Sequence, residues 1–467
     1  MKKILIILYK KYKVYYPSFR MYKCTINFML KNRDIHLPII IIGAGIAGIA
    51  CAKKLQESGK KVTLLEARSR IGGRIDSLKS DSDVFDLGAS WIHGIKGNPI
   101  WKITQENHIE TKIFNYYKSQ YFHENGLLFS DQEVQEFESH VEKIEMLLSQ
   151  TQTISALNAI KEIISSLDYS GSKFSECYLK KILFNFFERI ANDPFATNLD
   201  QLLANYKNYE GYFEGDEVIF PTGYHQVIDV LSKKLDIKLN VDVKKIICKN
   251  DYVKIIDSNN NFYIGSRVVV TVPLGVLQKN HIEFYPLLPN HYANSIKNIG
   301  FGSFNKVFFE LEQPLSFRLK LPARHISDFY WNDIGCFNIL DLSEIYKKPV
   351  YLMLFGGKQS EFIDNSTNNQ IYQFIYNSLK KQFGSIPHKP KKLIITRWGS
   401  DAYSYGSFSF PSLKHTDDLV KVLHKPIREQ IFFAGEHCSL KYAGTVHGAY
   451  LNGNEIAEKI LGIVSPI

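Results

Sequence analysis

Residues Pro38 to Ile75 constrain the fold more than any other stretch, because they read as one complete strand–turn–helix–strand unit. Ile39-Ile40-Ile41-Ile42 is a β-branched run suited to a parallel strand buried on both faces. It breaks into Gly43-Ala44-Gly45-Ile46-Ala47-Gly48, a G-x-G-x-x-G turn. The pattern predicts a helix from there to about Ser58, with Gly59 just past its end. Val62-Thr63-Leu64-Leu65 then resumes the sheet and ends on Glu66. Gly43 permits the tight turn, Gly45 lets a pyrophosphate approach the backbone, and Gly48 allows close helix–strand packing. The helix start offers N–H groups and a positive dipole end to phosphates. Gly43, Gly45, Ala47 and Gly48 are therefore expected against a bound dinucleotide.

Glu66 follows Gly45 by about twenty residues, where an acidic side chain hydrogen-bonds a ribose diol. That favours an adenosine without a 2′-phosphate, so FAD or NAD rather than NADP. The next residues discriminate between the two. Glu66-Ala67-Arg68-Ser69-Arg70-Ile71-Gly72-Gly73-Arg74 sets three cations and a Gly-Gly pair beyond the ribose site. An NAD domain has no need of this second basic turn. A larger dinucleotide would use it, an arginine donating to the pyrophosphate and the glycines admitting the flavin side. In this segment the chain resembles the flavin-containing amine oxidases, whose N-terminal signature has this form. The resemblance implies FAD, with Glu66, Ala67, Arg68, Gly73 and Arg74 among its contacts.

The 467 residues are enough for about two or three domains with ample core. The formal net charge of +10 suggests nucleic acid until it is located. Residues 1–34 hold nine Lys or Arg and one acid, Asp34, so the rest of the chain is close to neutral and no nucleic-acid surface is expected. Ile4 to Leu8 is too short for a signal or membrane segment. Residues 1–36 are read as a disordered basic tail or a mis-assigned start, Met21 or Met29 being the true one; a weak membrane-surface anchor is the third reading. No run of 18 apolar residues occurs elsewhere. The six cysteines show no C-x-x-C or metal-ligand spacing, so they read as reduced thiols of a cytoplasmic protein and no metal is expected.

Along the chain, Asp86-Leu87-Gly88-Ala89-Ser90-Trp91-Ile92-His93-Gly94 forms a glycine-rich crossing between domains. Ser130-Asp131-Gln132-Glu133 is a capping box that opens a helix with Val134, Phe137, Val141 and Ile144 on one face. A second helical stretch carries Ile154, Leu157, Ile160, Ile164 and Leu167. Pro221-Thr222-Gly223 leads into a helix, then into a single strand over Lys238-Leu239-Asn240-Val241-Asp242-Val243. Arg267 to Pro273 is another buried strand. The family resemblance implies an α/β fold, a Rossmann-like FAD-binding domain interleaved with an α+β substrate-binding domain. The expected FAD domain is 37–94, 218–280 and 395–462, and the substrate domain 95–217 and 281–394. The resemblance also implies that Gly88, Ala89, Ser90 and Trp91 touch the cofactor and that Val243 meets the adenine through its backbone.

The second half carries the more specific matches. Ile299-Gly300-Phe301-Gly302-Ser303-Phe304-Asn305-Lys306-Val307 resembles the family segment bearing a flavin-facing lysine. In the family, a lysine here holds a water at flavin N5 and assists reoxidation. A surface lysine on an edge strand is the competing reading of Lys306. Thr396 to Asp401, with Trp398, and Gly406 to Phe410 match the stretch beneath the isoalloxazine. Monoamine oxidases carry a flavin-linked cysteine where this chain has Ser407, so the flavin is expected to be non-covalent. Phe408 would form one wall of an aromatic cage around the amine, with Tyr403 also at the substrate. The opposite wall, tyrosine in monoamine oxidases, falls on Thr445, which argues for an extended substrate. Phe432-Phe433-Ala434-Gly435-Glu436, followed by Tyr442 to Ala449, again pairs a strand end with a glycine-opened helix. The resemblance implies that Gly435 and Glu436 bond the ribityl or pyrophosphate region and that Thr445 and Val446 reach the flavin pyrimidine. His447 is read as structural.

Gly88 to Gly94 with His93 is most like spermine and N-acetylpolyamine oxidases, which implies that His93 binds or orients a substrate amine. Glu210, Glu214, Asp216 and Glu217 cluster in a region that lines the substrate tunnel of relatives; they are candidates for the distal ammonium of a polyamine, a solvated acidic loop being the alternative. The resulting expectation is an FAD-dependent polyamine oxidase, Lys306 and His93 catalytic, with a small-molecule amine and dioxygen as reaction partners. A flavin amine dehydrogenase, a monoamine or amino-acid oxidase of the same fold, and a degenerate flavoprotein scaffold are the alternatives.

Overall fold

The four isoleucines expected as a buried strand form one. Ile39–Ile42 is the centre of a five-stranded, all-parallel sheet in the order Ile431–Phe433, Arg267–Val270, Ile39–Ile42, Val62–Leu65 and Ile237–Lys238. Successive side chains of a strand face opposite sides. Ile39 and Ile41 accordingly pack with Ile49, Ile228 and Ile456, while Ile40 and Ile42 pack with Ile246, Ile255 and Phe433. Burial on both faces explains the unbroken apolar run. The computed structural model describes residues 37–114, 119–151, 154–209, 211–315, 327–332, 335–384 and 389–462. The expectations for the arm at 1–36 and for Glu210 fall outside these residues.

The helices Ile46–Glu57 and Val446–Leu461 cover one face of that sheet. They approach closely because Gly453 lies against Ala47, where an added Cβ would meet the Ala47 carbonyl oxygen at 2.3 Å. A four-stranded sheet covers the other face, in the order Phe262–Gly265, Val253–Asp257, Val243–Cys248 and Glu283–Tyr285. The single strand expected from Lys238 to Val243 is therefore two strands of different sheets. Ile237–Lys238 ends the parallel sheet, and Val243 begins a strand of the other. The chain breaks at Asn240, whose φ of +58° is left-handed, a conformation asparagine tolerates better than most residues.

A six-stranded sheet forms the second layer system, in the order Lys392–Ile395, Phe304–Glu310, Val350–Gly356, Gly335–Asp341, Ser327–Asn332 and Ser119–Phe122. The helices Asp131–Gln150, Ala156–Ser166 and Glu176–Asn192 build an adjoining bundle around Phe137, Ile144, Ile160, Leu183 and Phe187. The capping box forms as expected, Ser130 Oγ accepting from Glu133 N. Ile154, expected on a buried helix face, lies before the Ala156–Ser166 helix and is exposed. Among the described residues, no helix is long and apolar enough to cross a membrane, no His, Cys, Asp and Glu cluster could hold a metal, and five cysteines are free.

Candidate active site

Two glycine turns meet at the end of the Ile39–Ile42 strand. Gly43 takes the left-handed φ of +104° that the tight turn needs. Gly72 N donates to Ala44 O at 2.8 Å, and Gly45 faces Gly72 as an isolated parallel bridge. A Cβ at Gly45 would point into the space between the turns, 3.9 Å from Gly72 O. The Ile46–Glu57 helix starts there with no side-chain cap and no acid in its first turn. Its leading N–H groups and dipole suit an anion. Glu66 is buried beside them; Oε2 accepts from Ala44 N at 2.7 Å and Oε1 from Arg68 N at 2.9 Å. A carboxylate has about four acceptor sites, so the ribose hydroxyls of a dinucleotide can still be accepted. The cradle and donor set fit a dinucleotide cofactor.

The arginines divide the work. Arg68 forms a bidentate pair with Asp401 at 2.9 and 2.5 Å and lies over the Tyr403 ring at 5.4 Å. The Tyr403 ring also lies 6.0 Å from His281, and its backbone N donates to Asp401 Oδ1 at 2.9 Å. Arg70 pairs with Asp76 at 2.8 Å. Arg74 donates to Ser407 O at 2.7 Å and Glu436 Oε1 at 2.8 Å. Glu436 Oε2 accepts from Gly444 N at 2.8 Å and Ser409 Oγ at 2.5 Å. Burial would raise the Glu436 pKa, but Arg74, His437 and these bonds outweigh it and hold the carboxyl below its ordinary value.

Val243 is buried, its strand starting just after the segment whose Val241 N donates to Glu66 O at 2.8 Å. Ala67 lies between Glu66 and Arg68 at the same strand end. Gly73 sits over Gly45, its added Cβ 3.3 Å from Gly45 Cα. Gly88 is pressed against Arg74 O, 1.8 Å from where its Cβ would be, and Ala89 N donates to Arg74 O at 3.1 Å. Trp398 is buried; its N donates to Asn305 Oδ1 at 2.8 Å and its Nε1 to Leu87 O at 3.0 Å. Asn305, unremarked in the sequence as a site residue, fixes both Trp398 and Thr396.

Lys306 lies within a sheet, not at its edge. Its strand Phe304–Glu310 pairs on both sides, with Val350–Gly356 and Lys392–Ile395. The side chain is buried and Nζ donates to Asp86 O at 3.0 Å, Gly88 O at 2.5 Å and Ser90 Oγ. The Trp91 ring lies 5.2 Å away. Burial lowers the Lys306 pKa to about 7 against the opposing charge of Asp86. Burial raises Asp86 to about 6, with hydrogen bonds from Ser77 and Tyr224 N pulling the other way. Asp86 was legible as the first residue of the Asp86–Gly94 crossing, but its proximity to Lys306 was not.

On the other side, His93 is 52% exposed and its Nδ1 lies 2.7 Å from Glu217 Oε1. Glu217 is buried while Glu214 and Asp216 are exposed. Glu214 pairs with Lys96 at 3.7 Å. The acidic cluster is therefore split, because Glu217 leads into the Val218–Ile219 strand and its neighbours form an exposed turn. Phe213 stacks on Tyr442 at 4.9 Å, and His447 sits edge-on to both. Phe408 packs on Phe304 at 5.8 Å and lies against Gly444. Thr445 Oγ1 accepts from Gly448 N at 2.9 Å as the cap of the Val446–Leu461 helix, and donates to Tyr442 O. Ser407 Oγ is held both ways by Phe304, whose N donates and whose O accepts at 2.9 Å.

Residues 46–461 match the flavin containing amine oxidoreductase family. Among curated relatives, "Polyamine oxidase 3" of Oryza sativa subsp. japonica is 29% identical, over 92% of this chain and 90% of its own. "Probable polyamine oxidase 4" of Arabidopsis thaliana is 27% identical, over 91% and 87%. "Lysine-specific histone demethylase 2" of Homo sapiens is 28% identical over 92% of this chain but 54% of its own length. Among solved structures, a putrescine oxidase redesigned in its cofactor binding superposes with a TM-score of 0.73 over 92% of this chain and 99% of its own, at 18% identity. The chain belongs to the flavin-containing amine oxidoreductases, α/β enzymes that oxidise the CH–NH group of an amine with a flavin.

Proposed function

We propose that this protein is a cytoplasmic polyamine oxidase that holds FAD without a covalent bond. The observation that carries the substrate class is the half-exposed His93 on buried Glu217; the charge of His93 reaches His447 and so the stacked rings of Phe213 and Tyr442 around it. This is a site for an amine with an apolar chain. Near full-length similarity to plant polyamine oxidases supports it. Free, largely buried cysteines support a reducing compartment. Ser407 supports non-covalent binding, since it offers no thiol and its hydroxyl is engaged by Phe304.

In this reading Gly43, Gly45, Ala47 and Gly48 cradle the pyrophosphate with Gly73, and Glu66, flanked by Ala67 and Arg68, accepts the ribose hydroxyls. Arg74 and Glu436, with Gly435, order the ribityl side, and Val243 lies at the adenine. Gly88, Ala89, Ser90, Trp91 and Trp398 border the ring, and the Thr445 and Val446 N–H groups address its pyrimidine edge at a helix start. Bound in this cradle, FAD would supply the acceptor for the hydride leaving the carbon next to the amine, with dioxygen as the final oxidant and hydrogen peroxide as its product. Water hydrolyses the imine to an aldehyde and a shortened amine. His93 takes or orients the amine proton, and Glu217 fixes the ring through Nδ1. Phe408 walls the amine, while Glu214 and Asp216 attract the distal ammonium from the exposed rim. Lys306 holds the water beside the ring by exchanging one of its three protein bonds. We divide the molecule into an FAD body (37–94, 218–280, 395–462) and a substrate body (95–217, 281–394).

The test is peroxide release by the purified yellow protein with spermine, spermidine, N-acetylspermine and tyramine, with Lys306→Met as control. Turnover of a polyamine that falls at least about tenfold in the control is the expected result. Anaerobic amines that leave the flavin oxidised would overturn the substrate class. Flavin reduction without peroxide would identify a dehydrogenase instead.

A further inference from the structure

The cage around Lys306 is built almost wholly from one short stretch of chain. Asp86 and Gly88 give backbone oxygens, Ser90 gives its hydroxyl, and Trp91 gives its ring face. An ammonium has three donors and no acceptor, so the three acceptors use it completely. Ser90 Oγ in turn donates to Asp86 O at 3.3 Å, which leaves its lone pairs for the lysine. None of these acceptors carries a full charge, and burying an ammonium among neutral groups is costly unless a counter-charge stands near.

Asp86 carries a buried carboxyl group on the same residue whose carbonyl receives Nζ at 3.0 Å. Both of the carboxyl group's described hydrogen bonds fall on one oxygen, Oδ1, which accepts from Tyr224 N at 3.0 Å and from Ser77 Oγ. Ser77 Oγ also accepts from His225 N at 3.2 Å. The carboxylate is thus anchored to the segment that enters the His225–Leu231 helix, while its backbone oxygen holds the lysine. Other titratable groups near the pair are Asp76, which acts on Asp86, and the hydroxyls of Tyr224 and Tyr346, which feel Asp86. Tyr346 donates to Val84 O at 2.9 Å and stacks on Phe85.

We propose that Asp86 is a positioning residue whose buried negative charge favours the ammonium form of Lys306 and holds it against the Asp86–Trp91 crossing. The charge pairing follows from Nζ lying 3.0 Å from the backbone carbonyl of an acid whose own side chain is buried; its consequence for flavin reoxidation rests on the reading of Lys306 given above. In line with this pairing, the Asp86 charge works against the burial that depresses the Lys306 pKa.

Asp86→Asn tests the charge cleanly, because the amide oxygen can still accept from Tyr224 and Ser77. The measurement is a double-mutant cycle of thermal unfolding with Lys306→Met on the full-length protein. Asp86→Asn is expected to lower Tm at least about twice as far with Lys306 present as in the Lys306→Met background. An equal drop in both backgrounds would overturn the proposal, since a carboxylate that merely braces the crossing costs the same with either side chain. If Asp86→Asn alone does not fold, recovery of folding in the double variant supports the proposal and failure of the double variant overturns it. The second readout is the pH profile of reoxidation of the amine-reduced protein by dioxygen. Its inflection is expected about one to two pH units lower in Asp86→Asn, whichever form of Lys306 is active, because loss of a nearby anion lowers an amine pKa. Coupling in the cycle without any inflection would leave the pair standing and refute the role of Lys306 in reoxidation.

Discussion

Glu217 shows how much chemistry rests on one buried side chain. It was legible in the sequence as one of four clustered acids, but not as the one that differs from the rest. Its exposed neighbours gain little from a charge in water, whereas Glu217 is desolvated and holds His93 at 2.7 Å. A charge-assisted hydrogen bond of this kind contributes about 1.5–3 kcal/mol. Glu217→Gln is therefore expected to raise KM for a polyamine by roughly ten- to a hundredfold, with a smaller fall in kcat and no change in the flavin spectrum. Steady-state kinetics over a range of spermine concentrations check this, and an unaltered KM would make Glu217 part of the scaffold. Tyr403 teaches the converse. A tyrosine between two matched motifs reads as a substrate contact, while its ring lies under the Arg68 guanidinium at 5.4 Å, a partner that the motifs do not reveal. Sequence proximity to a motif does not say which way a side chain turns.

The elements whose parts adjoin in sequence were the legible ones. Strand, glycine turn, helix and strand from Ile39 to Leu65 fall where their composition puts them, because each step is local. The break at Asn240 was not legible, since the residues around it alternate well enough for one strand and the left-handed turn is set by contacts to Glu66 and Arg68. Helix packing shows the same division. Val446–Leu461 carries Gly453 in its interior, where alanine normally stabilises a helix by about 1 kcal/mol. At this position the methyl would sit 2.3 Å from the Ala47 carbonyl, in a turn of the Ile46–Glu57 helix that flanks the glycine cradle. Overpacking of that kind costs about 1–3 kcal/mol, which exceeds the propensity gain. Gly453→Ala is thus expected to lower Tm and to weaken flavin retention on gel filtration. A rise in Tm would mean that the two helices separate at little cost.

At the scale of the whole molecule, burying titratable groups in several places couples folding to pH. His437 is buried and its pKa falls to about 4. Burial, then the charge of His93, lowers His447 to about 3. An unfolded histidine takes up a proton near pH 6.5, so below that value the unfolded chain binds more protons than the folded one, and stability is lost as pH falls. Asp86 acts the other way, because burial raises it to about 6 and the folded state then gains protons first. Above about pH 7 Lys306 reinforces the histidine trend. Its pKa is lowered from the ordinary lysine range, so the unfolded chain holds the extra proton and stability rises as pH climbs toward 10. These contributions overlap in the intact protein, but a difference measurement isolates one of them. His447→Gln removes a single titration while keeping a polar side chain at the helix start. The wild type is expected to lose stability relative to His447→Gln by about 1.4 kcal/mol per pH unit between about pH 6.5 and 4, measured by urea unfolding at each pH. A gap that stays constant across that range would mean that His447 protonates as readily in the folded chain as in the unfolded one, and burial at the start of the last helix could not be what sets its charge.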